Sequence, residues 1–230
     1  METFIAGSPD DKAAMAGGGT LGDDLEGLDE ETEASLRRFL ANPSAPSRLY
    51  GFKWDEGFVA PWVPCDGPSL QEALEVLQLS TDDFVLDLGC GDGRVLIEAV
   101  ERSACCARGV ELDEALLAQA AESATRLPAA LRNRISFVAG DMFDLTLWVE
   151  TSEDDGSCAG SAAGSGTRWP TVVILYLLTQ SLQQLQPLLE PLLAQGTRVC
   201  TLRWQFPGWQ AHECARGAGW YLYGPVHGAP

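Results

Sequence analysis

The sequence predicts an α/β protein on a doubly wound, seven-stranded sheet, mostly parallel and ending in a C-terminal antiparallel hairpin. Three observations carry this. Between positions 84 and 202, five short apolar runs alternate with helical patterns, the order that builds a parallel sheet covered on both faces. The turn after the first run is glycine-rich, Asp87-x-Gly89-x-Gly91-x-Gly93, and lets backbone approach a ligand at the carboxyl edge of such a sheet. Two runs flanking Gly217-Ala218-Gly219 then read as a hairpin.

Each element follows in order. Residues 1–33 hold ten acids against one base, Lys12, together with Gly17-Gly18-Gly19 and few large apolar side chains. They read as an acidic, disordered tail before a domain spanning 34–230. Such a tail serves solubility, or attracts a basic substrate. Thr32 to Leu40 suits a short helix, broken by Asn42-Pro43 through Pro46. Tyr50 to Cys65 is aromatic and proline-spaced and reads as ordered loop. Asp66 is placed to cap a helix from Pro68 to Leu77, with Leu70, Leu74 and Leu77 on one face.

The first strand is Phe84–Leu88 and its helix Arg94–Arg102. The second strand is Ala107–Glu111, and the next helix begins near Asp113 and buries Leu116, Leu117, Ala120, Ala124 and Leu127. The third strand is Ile135–Val138. Residues 150–168, rich in Gly, Ala, Ser and acids, read as a flexible surface insertion. The fourth strand is Val172–Leu177. A helix from Ser181 is apolar at Leu182, Leu185, Leu189 and Leu192, and Pro187 and Pro191 are expected to kink or split it. The fifth strand, Arg198–Leu202, is followed by no helix. Phe206-Pro207-Gly208-Trp209 forms a bend, and the hairpin pairs His212–Arg216 with Trp220–Tyr223.

Composition narrows the function classes. At 230 residues the chain holds one α/β domain with a full core. Its 15 Lys+Arg against 33 Asp+Glu give −18, and the bases form no cluster, which argues against nucleic acid as a partner. The longest apolar run, Thr171 to Leu178, is too short to span a bilayer, and the acidic start resembles neither a signal peptide nor a mitochondrial presequence. Seven cysteines without a C-x-x-C pair, and only His212 and His227, point away from zinc and from a disulfide framework. A reducing, cytoplasmic setting and a monomer are the expectation.

Three stations form one candidate pocket. The first is the loop Asp87, Gly89, Cys90, Gly91, Asp92, Gly93. A dinucleotide fingerprint, G-x-G-x-x-G, would need glycine where Arg94 stands, so the spacing suits a ligand without a pyrophosphate. The second is Glu111, ending the second strand, where a carboxylate can accept both hydroxyls of a ribose. The third is Gly140-Asp141-Met142-Phe143 after the third strand: Asp141 can take an adenine amino group and Met142 can flank the ring.

These motifs resemble those of the class I (seven-β-strand, Rossmann-like) S-adenosylmethionine-dependent methyltransferases. The resemblance implies S-adenosyl-L-methionine as cofactor, glycines that make room for its methionine part, and an acid, Asp87, that organises the loop. Val59-Ala60-Pro61-Trp62-Val63-Pro64 before the domain, Val173-Ile174-Leu175-Tyr176-Leu177-Leu178, and Arg203-x-x-Phe206-Pro207-x-Trp209 before the hairpin are similar to a narrower group. Those are protein lysine methyltransferases acting on the adenine nucleotide translocase and the ATP synthase c-subunit. Trp62 stands at that group's tyrosine position, and the acidic tail replaces its apolar or targeting segment.

No catalytic base is forced by the sequence. Tyr176 ends the central fourth strand, either as an acceptor-site residue or as a half-buried core tyrosine. Trp62 and Pro64 either wall the methyl-donor pocket or pack on the domain, Asp66 reads as a cap rather than a base, and Thr179 and Gln180 are candidates for the acceptor entrance. The resemblance implies methyl transfer to a lysine of a basic protein. A small-molecule N- or O-methyltransferase and a non-catalytic binding module are the alternatives.

Overall fold

The computed structural model describes residue 65 and residues 67–150 and 167–224. The tail, Trp62, Pro64, the Asp66 cap and residues 151–166 lie outside the described residues.

Helix α1, Gly67–Leu77, buries Leu70, Ala73, Leu74 and Leu77. Then follow β1 (Phe84–Leu88), α2 (Arg94–Ser103), β2 (Cys106–Glu111), α3 (Glu114–Ala124), the short α4 (Ala129–Arg132) and β3 (Ile135–Ala139). After them come β4 (Val172–Leu175), α5 (Thr179–Ala194), β5 (Arg198–Leu202), β6 (Glu213–Gly217) and β7 (Trp220–Tyr223). The seven strands form one sheet in the order β3-β2-β1-β4-β5-β7-β6, and only β7 runs opposite to the others, pairing antiparallel with both β5 and β6. The expected sheet is thus the observed one. β1 and β4 are wholly buried because they lie mid-sheet with a layer on each face. Val85 and Ile174 face a core shared with α1 and α2, whereas Leu86, Leu88 and Leu175 face a second core under α5.

Several expectations need correction. Leu116 and Leu117 are only half-buried, because α3 lies over the edge strand β3; Ala120 and Ala124 are its buried residues. β4 ends at Leu175, so Tyr176 stands one residue beyond it. α5 begins at Thr179 and is not split by Pro187 or Pro191. The two prolines are one turn apart on the exposed face, where solvent can bond the carbonyls they leave without donors, while Leu182, Leu185, Leu189 and Leu192 anchor the other face. Cys106 is disulfide-bonded, while Cys65, Cys90, Cys105, Cys200 and Cys214 are free. That bond removes the cysteine argument for a reducing compartment.

The ends of the expected insertion are ordered. Glu150 and Arg168 form an antiparallel bridge and an ion pair of 3.3 Å, and Arg168 Nη2 donates to Asp82 O at 2.8 Å, just before β1. The insertion therefore roots at the amino edge of the sheet, away from the glycine loop. Among the described residues no α-helix follows β5, only a single 3-10 turn at Gln210–His212; stacked Phe206 and Trp209 (centroids 4.2 Å apart) and Tyr223 pack in that region. The Tyr223 hydroxyl accepts the Phe206 N–H at 2.8 Å and fixes the bend.

Candidate active site

The carboxyl ends of β1, β2 and β3 bring the three stations together. The loop after β1 turns through Gly89 (φ 77°), Gly91 (φ 54°) and Gly93 (φ 74°), a backbone that residues with a Cβ rarely adopt. Gly89 and Cys90 donate N–H groups to Val110 O, at 2.8 and 3.2 Å. The half-buried Glu111 ties the first two stations: Oε2 accepts the Gly91 N–H at 2.9 Å, and Oε1 accepts those of Leu112 (2.8 Å) and Asp113 (3.0 Å). Asp113 caps α3, as its position suggests, accepting from Ala115 and Leu116 N–H.

Asp87 sits under the loop, 3% exposed. Burial, then the charges of Glu111 and Asp92, push its carboxyl from the usual 3.8 up to about 8. Asp92 is occupied by Arg94, whose guanidinium forks onto both its oxygens at 2.7–3.1 Å. The arginine that breaks the dinucleotide fingerprint thus holds the loop's second acid. The Cys90 thiol is buried and pushed well up by desolvation, and its sulfur packs against Gly109 in the core under the loop. Cys65, next to Pro64, lies close enough to Asp87 for that charge to add to burial in raising its thiol to about 12.

At the third station Asp141 is exposed, and its Oδ1 accepts the Phe143 N–H at 2.9 Å. Met142 turns inward. Its carbonyl accepts from Trp148 Nε1 at 2.8 Å and its side chain joins the core with Leu86, Leu88 and Val110. It shapes the loop that presents Asp141 rather than offering an open face. Tyr176 is half-buried between both cores and packs on Trp204, with centroids 5.2 Å apart. Trp204 and Leu177, whose Cδ2 would lie 3.2 Å from a Cβ on Gly89, are neighbours the sequence reading missed. The one available signal was an aromatic residue just past the fifth strand.

A family profile described as a methyltransferase domain matches residues 85–158. A protein-lysine N-methyltransferase from Saccharolobus islandicus is 32% identical over 154 residues, 66% of this chain and 82% of that protein. The chain belongs to the class I S-adenosylmethionine-dependent methyltransferases. The methyltransferase also superimposes on the crystal structure of an RNA methyltransferase from Salinibacter ruber in complex with S-adenosyl-L-homocysteine. There the TM-score is 0.55 and identity 26%, over 73% of this chain and 97% of that one.

Its cofactor is S-adenosyl-L-methionine, and the residues fit it. Positive-φ glycines clear the carboxyl edge of β1, and carboxylates at the end of β2 and beyond β3 are acceptors that could suit a ribose diol and an adenine amino group. Bound there, the cofactor supplies a methyl group activated by a sulfonium. The methyltransferase's own part is to orient it and to exclude water.

Asp87 makes the fold sensitive to pH. Its folded value, about 8, lies above the 3.8 of the unfolded chain, so the fold retains a proton that the unfolded chain releases. Its contribution to stability is full below about pH 4 and is lost as pH rises through about 8. Melting curves from pH 5 to 9 should fall with pH more steeply for the wild type than for Asp87→Asn. Parallel curves would mean that Asp87 is ionised throughout.

Proposed function

We propose that this methyltransferase acts on the side-chain amine of a lysine in a basic protein. The observation that carries the reading is the 32% identity, over 82% of its length, to a protein-lysine N-methyltransferase. The likeness of the pre-domain segment, the fourth strand and the ending to the adenine nucleotide translocase and ATP synthase c-subunit enzymes points the same way, and a chain of net charge −18 favours a cationic acceptor. Among the described residues no helix is long and apolar enough to cross a membrane.

The chemistry is an in-line displacement. With S-adenosyl-L-methionine bound, the neutral lysine amine would take the methyl group activated by its sulfonium, the carbon–sulfur electron pair staying with sulfur, and the methylated nitrogen would then lose a proton to water. The glycine loop, Glu111 and Asp141 would fix the donor, and Tyr176 the acceptor. Continuing the β1–β4 register, Asp87 beside Ile174, sets Tyr176 level with Gly89 on the neighbouring strand. Tyr176→Phe is expected to lower turnover roughly tenfold through lost orientation while leaving cofactor affinity within about twofold. Unchanged turnover would return Tyr176 to the core.

The test is transfer of radiolabelled methyl to fractionated cell protein, RNA and small metabolites, followed by hydrolysis of the labelled material. Labelled methyl-lysine supports the proposal. Label confined to RNA would favour the chemistry named for the Salinibacter relative, and label in the small-molecule fraction a small N- or O-acceptor.

A further inference from the structure

We propose that Asp87 carries a proton in the cofactor-free enzyme and that the positive charge of the incoming methyl donor expels it, so that donor binding releases a proton and tightens as pH rises. This rests on the cofactor alone and is independent of what the acceptor is.

Asp87 is the last residue but one of β1. It alternates with Leu86 and Leu88, which enter the core under α5, and so faces the α1 and α2 side together with Val85. It is 3% exposed, and none of the described residues donates a hydrogen bond to its carboxyl. An ionised carboxylate there would have lost its water and gained no donor in exchange, which is costly.

Its surroundings supply negative charge rather than positive. β2 brings Glu111, beyond Gly109, the strand partner of Asp87. The loop brings Asp92 and the Cys90 thiol, the chain ahead of α1 brings Cys65, and β4 brings Ile174. The cations of α2 serve other acids: Arg94 forks onto Asp92, and Arg102 pairs with Glu98 at 2.9 Å. Glu111 is compensated by three N–H donors and Asp92 by a guanidinium. Within this cluster Asp87 has no such compensation, and burial with the two neighbouring charges holds its carboxyl up at about 8.

The cofactor brings the charge that the cluster lacks. S-adenosylmethionine carries two cations, its sulfonium and its α-ammonium, both in the methionine part. An opposite charge within about 4–6 Å of a carboxyl lowers its pKa by about 1–3, enough to ionise Asp87 near neutral pH. The proton passes to water, and the carboxylate that remains is the counter-ion of the bound cation. The sign follows from linkage: at and below neutral pH binding must displace a proton and affinity climbs with pH, whereas above about 8 the carboxyl is already ionised and the dependence levels off.

The test is calorimetric titration at pH 7 in buffers of different ionisation enthalpy, which counts protons released per ligand bound. At that pH an α-ammonium is still mostly protonated and adds little to the count. The wild type is expected to release roughly half to one proton with S-adenosylmethionine, and its affinity should rise about threefold to tenfold from pH 6 to 7. Asp87→Asn should release almost none, and its affinity should change less than about twofold over the same interval. S-adenosylhomocysteine keeps the ammonium and lacks the sulfonium. Release with both ligands makes the ammonium the partner of Asp87, and release with S-adenosylmethionine alone makes it the sulfonium. 5′-Methylthioadenosine, which has neither cation, should release none.

No proton released by the wild type with S-adenosylmethionine would overturn the proposal. So would equal release by Asp87→Asn, or equal release with 5′-methylthioadenosine, since the proton would then come from another group. If Asp87→Asn does not fold, the wild-type comparison of the charged and uncharged ligands still decides.

Discussion

Glu111→Ala is expected to lower affinity for S-adenosylmethionine roughly 100-fold, because a carboxylate accepting a hydrogen-bonded diol is worth about 3 kcal/mol. The residue would act twice. Beyond its proposed bond to the ribose, its two oxygens accept N–H groups from Gly91, Leu112 and Asp113, so the same carboxylate holds the glycine loop against the end of β2. Removing it strands three donors and loosens the loop. Calorimetric titration with S-adenosylhomocysteine checks the effect. Glu111→Gln, which keeps one oxygen acceptor but loses the charge, should fall between. Affinity within threefold of wild type for Glu111→Ala would remove it from the cofactor site.

Gly93→Ala should cost about 2–5 kcal/mol of stability, adding the strain of a positive φ to an overpacked contact. Gly93 lies at φ 74° where the loop enters α2, and an added Cβ would stand 2.7 Å from Phe137 Cζ and 2.9 Å from Ala120 Cβ. The phenyl ring can swing, but the Ala120 Cβ is fixed by the α3 backbone. For a chain of this size the loss corresponds to roughly 5–15 °C in melting temperature. Gly67→Ala is the control: nothing lies within 4 Å of its Cβ, and the melting temperature should hardly move. If both variants melt like wild type, Gly93 is present for the ligand alone.

Local patterns settled much of this protein. β1 and β5 lie where their apolar runs begin and end, and α1 and α5 bury the leucines their periodicity selects, because both elements are declared by side chains within a few residues of each other. The glycine loop was legible for a related reason. Backbone at positive φ must be written as glycine, and carboxylates at strand ends must be written as Asp or Glu. The order of strands and helices then implied where the three stations would meet.

What depends on residues far apart had no such signature. Nothing near Met142 says that Trp148 will claim its carbonyl and draw it into the core. Nothing near Glu150 says that Arg168 will close the insertion and root it at the amino edge, since that is settled by Asp82 and Phe84 across the sheet. Trp204 meets Tyr176 only because β4 and β5 are neighbours and because Gly219, on the hairpin, braces the turn at Arg203. The sequence by itself determined the sheet and the family and singled out the candidate cofactor stations, all carried by short-range pattern. The tertiary structure alone decided which side chains gather beside the glycine loop, because that edge is assembled from the ends of strands brought together only by folding.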